Sequence, residues 1–313
     1  MLEKVAIIVW AGGQDGKILT ELLTRSWYGI VAISRQSVQY IGVNKGNECI
    51  DILNTWDVTE LVKECTPDAL YYLAAYHHSS QEELPNDREL YQKSREVHVD
   101  GYLNFLEAIV QYSPHTSVCY ASSCLIYEWS ESTIQDEQTL PVPMSPYAIT
   151  KLEWMHLGNW YTKKYGLSIV NAILYNHESE FRRSNFLSMK VILGAIAISQ
   201  WKQNELILGD LSTKIDQGSA WDYVCAMIWL VENRHSGDYI ISSGEQHTIQ
   251  DMVEIVFGHL WLDWEKYVRG DPNIVKRKTG ILFWNPAKIK ENISWQPEYN
   301  FGEMLIKTIS ILC

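Results

Sequence analysis

Apolar runs of strand length recur through the first half of this chain, and a stretch with helical character follows most of them. The runs cover residues 5–9, 29–33, 49–53, 69–75, 117–121 and 168–174, and the helical stretches lie near residues 16–23, 58–65, 89–112 and 148–165. Strands that are apolar throughout are typical of a parallel sheet covered by helices on both faces. Residues 1–175 are therefore predicted to form a Rossmann-like, doubly wound α/β domain.

The pattern becomes less regular after residue 175. Short strands are predicted at residues 205–208 and 238–241, among helices at residues 186–200 and 249–260. No linker or internal repeat separates the two parts. We expect residues 176–313 to form a smaller C-terminal α/β substrate-binding domain that is interleaved with the first.

The composition narrows the classes of partner. A formal net charge of -12 without any cluster of Lys or Arg argues against nucleic-acid binding, because phosphate neutralisation supplies most of that affinity. The apolar runs are too short to span a bilayer, and the N-terminus lacks the basic and apolar regions of a signal peptide, so we expect a cytoplasmic protein. Six cysteines without Cys-x-x-Cys spacing and nine dispersed histidines give no support for disulfides or a metal site.

The segment VAIIVWAGGQDGK at residues 5–17 runs from the first apolar strand into a glycine-rich turn. In a dinucleotide-binding fold such glycines permit a tight turn and let backbone N–H groups approach the cofactor diphosphate at a helix N-terminus. Gly13 and Gly16 keep the second half of a G-x-x-G-x-x-G spacing, whereas Trp10 occupies its first position. A glycine-rich turn alone is weak evidence, but its place directly after the first strand favours a dinucleotide loop, and so an NAD(P)-binding Rossmann domain at residues 1–175.

Residues at the ends of the next two predicted strands concern the choice of cofactor. Arg35 follows the second strand, where an acidic residue would select NAD and an arginine can pair with the 2'-phosphate of NADP. NADP is therefore favoured, with NAD as the alternative, and a solvated arginine is the other interpretation. Asp51 and Ile52 could contact the adenine edge, although a strand-end Asp is as often a turn residue.

The segment SPYAITK places Tyr147 and Lys151 four residues apart, and therefore on one face of a helix. A lysine ammonium near a phenol stabilises the phenolate, so we expect a lowered pKa for Tyr147 and a usable base at neutral pH. Ser122 and Ser123 end an apolar strand just upstream, where a hydroxyl can share a hydrogen bond with a substrate oxygen. Together Ser, Tyr and Lys could remove a proton from an alcohol while hydride passes to a nicotinamide.

Further motifs extend this pattern over the chain. They are GGQDGK (12–17), YYLAAYHH (71–78), ASSCLIY (121–127), ILYNHES (173–179), Phe186 with Lys190, LILGDL (206–211) before DYV (222–224), and ISWQPE (293–298). With these residues the chain resembles the extended short-chain dehydrogenase/reductases, and within them the GDP-mannose 4,6-dehydratase family over nearly its whole length. The Tyr-x-x-x-Lys pair marks the superfamily, whereas the Asn-His-Glu-Ser stretch is much more specific.

The resemblance implies an NADP-dependent internal redox cycle on a nucleotide sugar, in a homodimer or homotetramer. Tyr147 would deprotonate the sugar C4 hydroxyl, Ser123 would polarise the same oxygen, and Lys151 would hold Tyr147 and the nicotinamide ribose. Water would then be lost across C5 and C6, and the hydride would return to C6. The remaining cofactor residues by this correspondence are Gly13, Gln14, Asp15, Gly16, Ala74, Ala75, His177 and Arg182, and the substrate residues are Ser122, Asn176 and Lys190.

Three positions depart from the family pattern. Leu125 replaces the Glu that serves as acid/base in the elimination, and Glu128 and Glu178 are conceivable replacements for that Glu. Ile215 replaces an Arg that binds the nucleotide diphosphate, and Trp10 replaces a glycine.

Two alternative hypotheses follow from these changes. One is a related epimerase or 4-keto reductase, which needs Ser, Tyr and Lys but no eliminating Glu. The other is a catalytically impaired Rossmann scaffold that acts by binding or oligomerising.

Overall fold

A mainly parallel sheet forms the centre of the protein, whose computed structural model describes residues 4–35, 37–44, 46, 49–77, 85–130, 134–274 and 284–313. The strands before residue 175 are β1 (Lys4–Val9), β2 (Tyr28–Ile33), β3 (Val38–Ile41), β4 (Ala69–Tyr72), β5 (Ser117–Ser123) and β6 (Ser168–Leu174). The helices between them are α1 (Gln14–Arg25), α2 (Thr55–Cys65), α3 (Asp87–Arg95), α4 (Gly101–Tyr112) and α5 (Pro146–Tyr165). A π-helical turn, Glu96–Asp100, joins α3 to α4, and a 3-10 turn, Cys124–Tyr127, follows β5.

The later part of the chain contains shorter strands among helices. The strands are β7 (Asn176–Glu178), β8 (Leu206–Leu208), β9 (Lys214–Ile215), β10 (Gln217–Ser219), β11 (Gly237–Ile241), β12 (His247–Thr248) and β13 (Val268–Gly270). The helices are α6 (Leu187–Ser199), α7 (Ala220–Glu232), α8 (Ile249–His259), α9 (Trp264–Tyr267), α10 (Ala287–Ile293) and α11 (Phe301–Leu312), with a 3-10 turn at Pro272–Ile274. Side chains of α6, α8 and α11 share a separate apolar cluster.

Among the described residues, the large sheet has seven strands in the order β11-β6-β5-β4-β1-β2-β3, and β3 alone runs antiparallel to its neighbour. Helices α1 and α7 pack on one face, and α2, α4 and α5 pack on the other. The predicted doubly wound α/β fold is thus confirmed. The chain moves outward from β1 in both directions, which opens a crevice at the carboxyl ends of β1 and β4.

Strand β11 and helix α7 belong to the large sheet and its covering layer, although both follow residue 175 in the sequence. The chain therefore returns to the large sheet after it has formed α6 and the short strands of the C-terminal part. The division at residue 175 itself stays a prediction.

Two predicted elements differ from the structure. The predicted strand at residues 49–53 is wrong: this segment is a turn, because the Asp51 carboxylate accepts a hydrogen bond from the N–H of Leu53 (2.9 Å) and Asn54 then caps α2. The third strand along the chain is instead Val38–Ile41. The predicted helix at residues 89–112 exists, but the π-helical turn interrupts it. None of the helices within the described segments is long and apolar enough to cross a membrane.

Candidate active site

Two residues of the predicted site lie on the first turns of α5. The Ser145 hydroxyl caps this helix and Pro146 occupies its first position, so the helix begins at a defined residue. Tyr147 and Lys151 follow one turn apart. Lys151 is buried; its Nζ donates a hydrogen bond to the backbone carbonyl of Ala121 on β5 (2.7 Å) and lies 5.7 Å from the centroid of the Tyr147 ring.

Strand β5 supplies the third residue of this group. Ser123 is the last residue of the strand, and its hydroxyl is hydrogen-bonded to the Tyr147 phenol. The Ser123 oxygen also accepts a hydrogen bond from the N–H of Leu125 (3.3 Å), which fixes the chain as it leaves the strand. The structure therefore brings Ser123, Tyr147 and Lys151 together at the carboxyl edge of the sheet.

The ionisation of this group differs from the sequence-based expectation. Burial raises the pKa of Tyr147, and the Ser123 hydrogen bond and the Arg182 charge only partly oppose it. Burial also lowers the pKa of Lys151 to about 7. The expectation of a lowered Tyr147 pKa is therefore wrong for this arrangement, because desolvation disfavours the phenolate and the ammonium alike.

His98 packs against the Tyr147 ring, a contact that the sequence did not predict. Its ring meets the Tyr147 ring edge-on at 5.1 Å between centroids. Its Nε2 accepts a hydrogen bond from the N–H of Tyr76 (3.1 Å), so Nδ1 carries the proton and donates to the Thr150 hydroxyl (2.8 Å). Burial holds the pKa of His98 well below its usual value. A neutral histidine thus links α5 to the segment after β4.

The glycine-rich turn has the close helix–strand packing of a dinucleotide loop, but the Trp10 side chain fills the space beside Gly13. A Cβ on Gly16 would lie 2.5 Å from the Ala11 Cα, so this glycine permits close packing of α1 on β1. Trp10 has a φ of 74°, a left-handed conformation that favours glycine. A Cβ on Gly13 would lie 2.9 Å from Cδ1 of the Trp10 indole. The indole therefore covers the surface that a diphosphate would approach.

The first turn of α1 is bound to β7. The Asp15 carboxylate is 3.0 Å from Nε2 of His177, and the Gln14 side chain donates to the His177 carbonyl (3.0 Å). Burial disfavours the charge on both partners, but their attraction outweighs it: the pKa of Asp15 is lowered and that of His177 is raised. The structure thus brings three predicted cofactor residues together through contacts with one another.

The segment after β7 carries the remaining predicted cations. Arg182 lies across the face of the Phe186 ring, at 3.8 Å from its centroid, and 3.3 Å from the Glu178 carboxylate. Lys190 is half-buried on α6, and burial lowers its pKa. Asn176 begins β7 and is exposed. Of these three residues, Arg182 is the one whose charge lowers the pKa of Tyr147 and so lies close to it.

The residues predicted to choose the cofactor lie farther along the crevice. Arg35 is exposed, and its guanidinium lies 4.9 Å from the centroid of the Trp10 ring. Asp51 is exposed and serves the turn before α2, whereas the carbonyl of Ile52 accepts a hydrogen bond from Asn104 on α4 (2.9 Å). The adenine contacts of Asp51 and Ile52 stay predictions, and the turn interpretation of Asp51 matches its contacts.

The other predicted positions flank the triad. Ala74 is buried and Ala75 half-buried in the segment after β4, at the edge of the crevice. Ser122 is buried and its hydroxyl lies 3.0 Å from the Met155 sulfur, so it points into the core and this placement disfavours a substrate contact. His78 of the YYLAAYHH motif lies outside the described residues. No cluster of three or more potential metal ligands occurs in the described segments.

Leu125 and Ile215, the two other residues that depart from the family pattern, have the following positions in the structure. Leu125 is partly buried and packs against the core cluster beneath α1 and α7. Ile215 lies in β9 opposite His247 of β12. The neighbouring Asp216 carboxylate is buried, where the N–H and hydroxyl of Ser243 bind it, and burial raises its pKa to about 6.

Comparisons with known proteins show the family of this chain. A family model described as GDP-mannose 4,6 dehydratase matches residues 7–308. GDP-mannose 4,6 dehydratase 2 of Arabidopsis thaliana is 31% identical over 97% of this chain and 85% of its own length. GDP-mannose 4,6-dehydratase of Sinorhizobium fredii (strain HH103) is 32% identical over 98% of this chain and 95% of its own length.

Solved structures of similar fold were also found. RMD from Pseudomonas aeruginosa complexed with NADPH has a TM-score of 0.81 at 20% identity and covers 98% of both chains. The dTDP-glucose 4,6-dehydratase of Bacillus anthracis in complex with NAD has a TM-score of 0.80 at 18% identity and covers 98% of this chain and 96% of that one. At these identities the similarity shows a shared fold.

Proposed function

Because the chain belongs to the GDP-mannose 4,6-dehydratase family, we propose that it is an NADP-dependent enzyme that oxidises C4 of a nucleotide sugar, with dehydration of GDP-mannose as the first candidate reaction. The hydrogen-bonded pair of Ser123 and Tyr147, with the Lys151 amine close to the Tyr147 ring, carries this proposal. A nicotinamide dinucleotide would supply the hydride exchange. The catalytic end of the crevice suits such a cofactor, whereas the turn beneath its diphosphate does not, because the Trp10 indole covers it.

The proposed roles follow from the contacts of the three side chains. The phenol of Tyr147 exchanges a proton with the C4 oxygen, and Ser123, already bound to that phenol, donates a hydrogen bond to the same oxygen. Lys151 is held by the Ala121 carbonyl one turn below Tyr147, where its charge favours the phenolate when a proton leaves. A protonated, buried tyrosine is also placed to act in the opposite direction, as an acid toward a C4 ketone.

Leu125 favours a second candidate, a C4 epimerase or 4-keto reductase. Elimination needs a group that takes the C5 proton and protonates the leaving C6 hydroxyl, and a leucine that packs against the core can do neither. One oxygen of the Glu178 carboxylate accepts a hydrogen bond from Ser188 (2.6 Å) and pairs with Arg182, and the other accepts from the Gln217 amide (3.4 Å), so both oxygens are already engaged. Epimerisation and keto reduction need the triad alone.

One experiment separates the two candidates. The purified chain and its Leu125→Glu and Leu125→Gln variants are incubated with GDP-mannose and NADP, and the product is identified by NMR and mass spectrometry. Dehydration by the parent chain supports the first candidate. Dehydration by Leu125→Glu alone supports the second, because Gln has the same shape but cannot transfer the proton. Each assay is repeated with Trp10→Gly, and inactivity of every chain, with cofactor shown to be bound, would contradict both candidates.

A further inference from the structure

Tryptophan occupies backbone positions at which glycine is favoured. Seven non-glycine residues in the described segments have a positive φ, and four of them are tryptophans although the chain contains only 13: Trp10 (74°), Trp27 (63°), Trp201 (59°) and Trp261 (58°). A left-handed conformation costs an ordinary L-residue about 1 kcal/mol or more, and glycine adopts it freely. These positions are therefore strained by the residue that they hold.

Trp10 differs from the other three because it lies in the crevice. Its indole presents Cδ1 and Nε1 at 2.9 and 3.4 Å from the point where Gly13 lacks a Cβ. The second glycine of a dinucleotide loop has no side chain so that the diphosphate can approach its backbone. On the outer side, the Arg35 guanidinium lies 4.9 Å from the indole centroid, which adds a cation–π attraction.

We propose that Trp10 closes the diphosphate subsite of the dinucleotide crevice, and that glycine at this position opens it. The indole occupies the surface of Gly13, and Arg35 holds it there. The proposal rests on the proposed function to the extent that the ligand is a nicotinamide dinucleotide. It concerns binding of that ligand rather than turnover of a sugar.

The test compares NADPH binding to the parent chain, Trp10→Gly and Trp27→Gly by fluorescence titration or calorimetry. Trp27 is the matched control, because it also has a positive φ but is 78% exposed at the end of α1. Trp10→Gly is expected to bind NADPH at least tenfold more tightly than the parent, and Trp27→Gly to bind as the parent does. Equal affinity of all three chains, or no binding by any, would overturn the proposal. Tight NADPH binding by Trp10→Gly without sugar turnover would instead contradict only the proposed function.

The three exposed tryptophans carry a second, independent inference. Trp27, Trp201 and Trp261 each lie directly after the C-cap of a helix, at α1, α6 and α8, where a left-handed glycine is the usual residue. They are 78%, 85% and 95% exposed, so packing does not compensate for the strain. Trp154, in contrast, is fully buried within α5 and does not have a positive φ.

We infer that the organism carrying this gene translates positions 10, 27, 201 and 261 as glycine. The codon UGA differs from the glycine codon GGA by one base and is read as tryptophan in some genetic codes and as glycine in others, so one codon reassignment accounts for all four positions if UGA encodes each of them. Peptide masses of the protein isolated from its natural source decide the matter. Glycine at these four positions is the expected result. Tryptophan at any of them would overturn the inference for that position, and tryptophan at all four would overturn it altogether.

Discussion

The two ends of the cofactor crevice depend on opposite properties of the sequence. At the proposed catalytic end, Tyr147, Lys151 and Ser123 would act through side chains that a helix cap, a carbonyl and a strand end hold in place. At the proposed diphosphate end, Gly13 and Gly16 would act by having no side chain. A function that depends on the absence of atoms can be blocked by one added side chain, whereas the catalytic group remains assembled. The comparison predicts that substitutions at one end leave the other unchanged.

The largest effect is expected for Tyr147→Phe. Loss of the phenol removes the group proposed to exchange a proton with the C4 oxygen, so kcat should fall by about 10³-fold or more. Binding of NADPH to this variant in the Trp10→Gly background should stay within a factor of about two, because the diphosphate end is untouched. A parallel loss of NADPH affinity, measured by titration, would show that the two ends are coupled.

The next largest effect concerns stability and its pH dependence. In Lys151→Met the buried amine is replaced by an apolar side chain, so the ammonium no longer has to be desolvated. Since burial lowers the pKa of Lys151 to about 7, only the unfolded chain binds this proton between pH 7 and the usual lysine pKa, and the parent loses stability as the pH falls through that range.

The difference in unfolding free energy between Lys151→Met and the parent should therefore grow by about 2 kcal/mol from pH 9 to pH 7. Denaturant titrations at the two pH values measure it, and groups common to both chains cancel. A difference that does not change with pH would mean that Lys151 keeps an ordinary pKa in the folded protein. The variant should also be inactive.

A smaller effect is expected for His98→Phe, which keeps a ring beside Tyr147 but loses both hydrogen bonds. The Tyr147 helix then loses its link to Tyr76, and kcat should fall about tenfold with little change in KM, as expected for a positioning residue. His98→Asn, which can still accept from the Tyr76 N–H, should recover part of this loss. An unchanged kcat in both variants would show that His98 does not position Tyr147 for catalysis.

The sequence predicted the site better than its surroundings, for identifiable reasons. Helical spacing placed Tyr147 beside Lys151 and the strand end placed Ser123, because these relations are local. The π-helical turn that carries His98 has no periodic signal, and residues 49–53 are as apolar as a strand although Asp51 and Asn54 direct them into a turn. The pKa of Tyr147 was mistaken because burial depends on contacts between distant segments. Tryptophan rarely adopts the left-handed conformation that Trp10 has, and no pattern of apolar residues could have predicted this conformation.

The smallest effect is expected at the junction of the two ends, where Asp15 on α1 meets His177 on β7. Asp15→Asn keeps a hydrogen-bond acceptor but removes the charge that raises the pKa of His177.

A raised histidine pKa stabilises the folded protein fully below the pKa of the unfolded chain, about 6.5. This stability is lost as the pH rises through the pKa of the folded protein. The lowered pKa of Asp15 contributes stability that is lost in acid. The variant should thus be less stable than the parent by about 1 kcal/mol near pH 5.5, and this difference should shrink as the pH rises to 9 and His177 loses its proton. Equal stability at both pH values would show that the pair carries no net charge interaction, and the two ends would then be joined by packing alone.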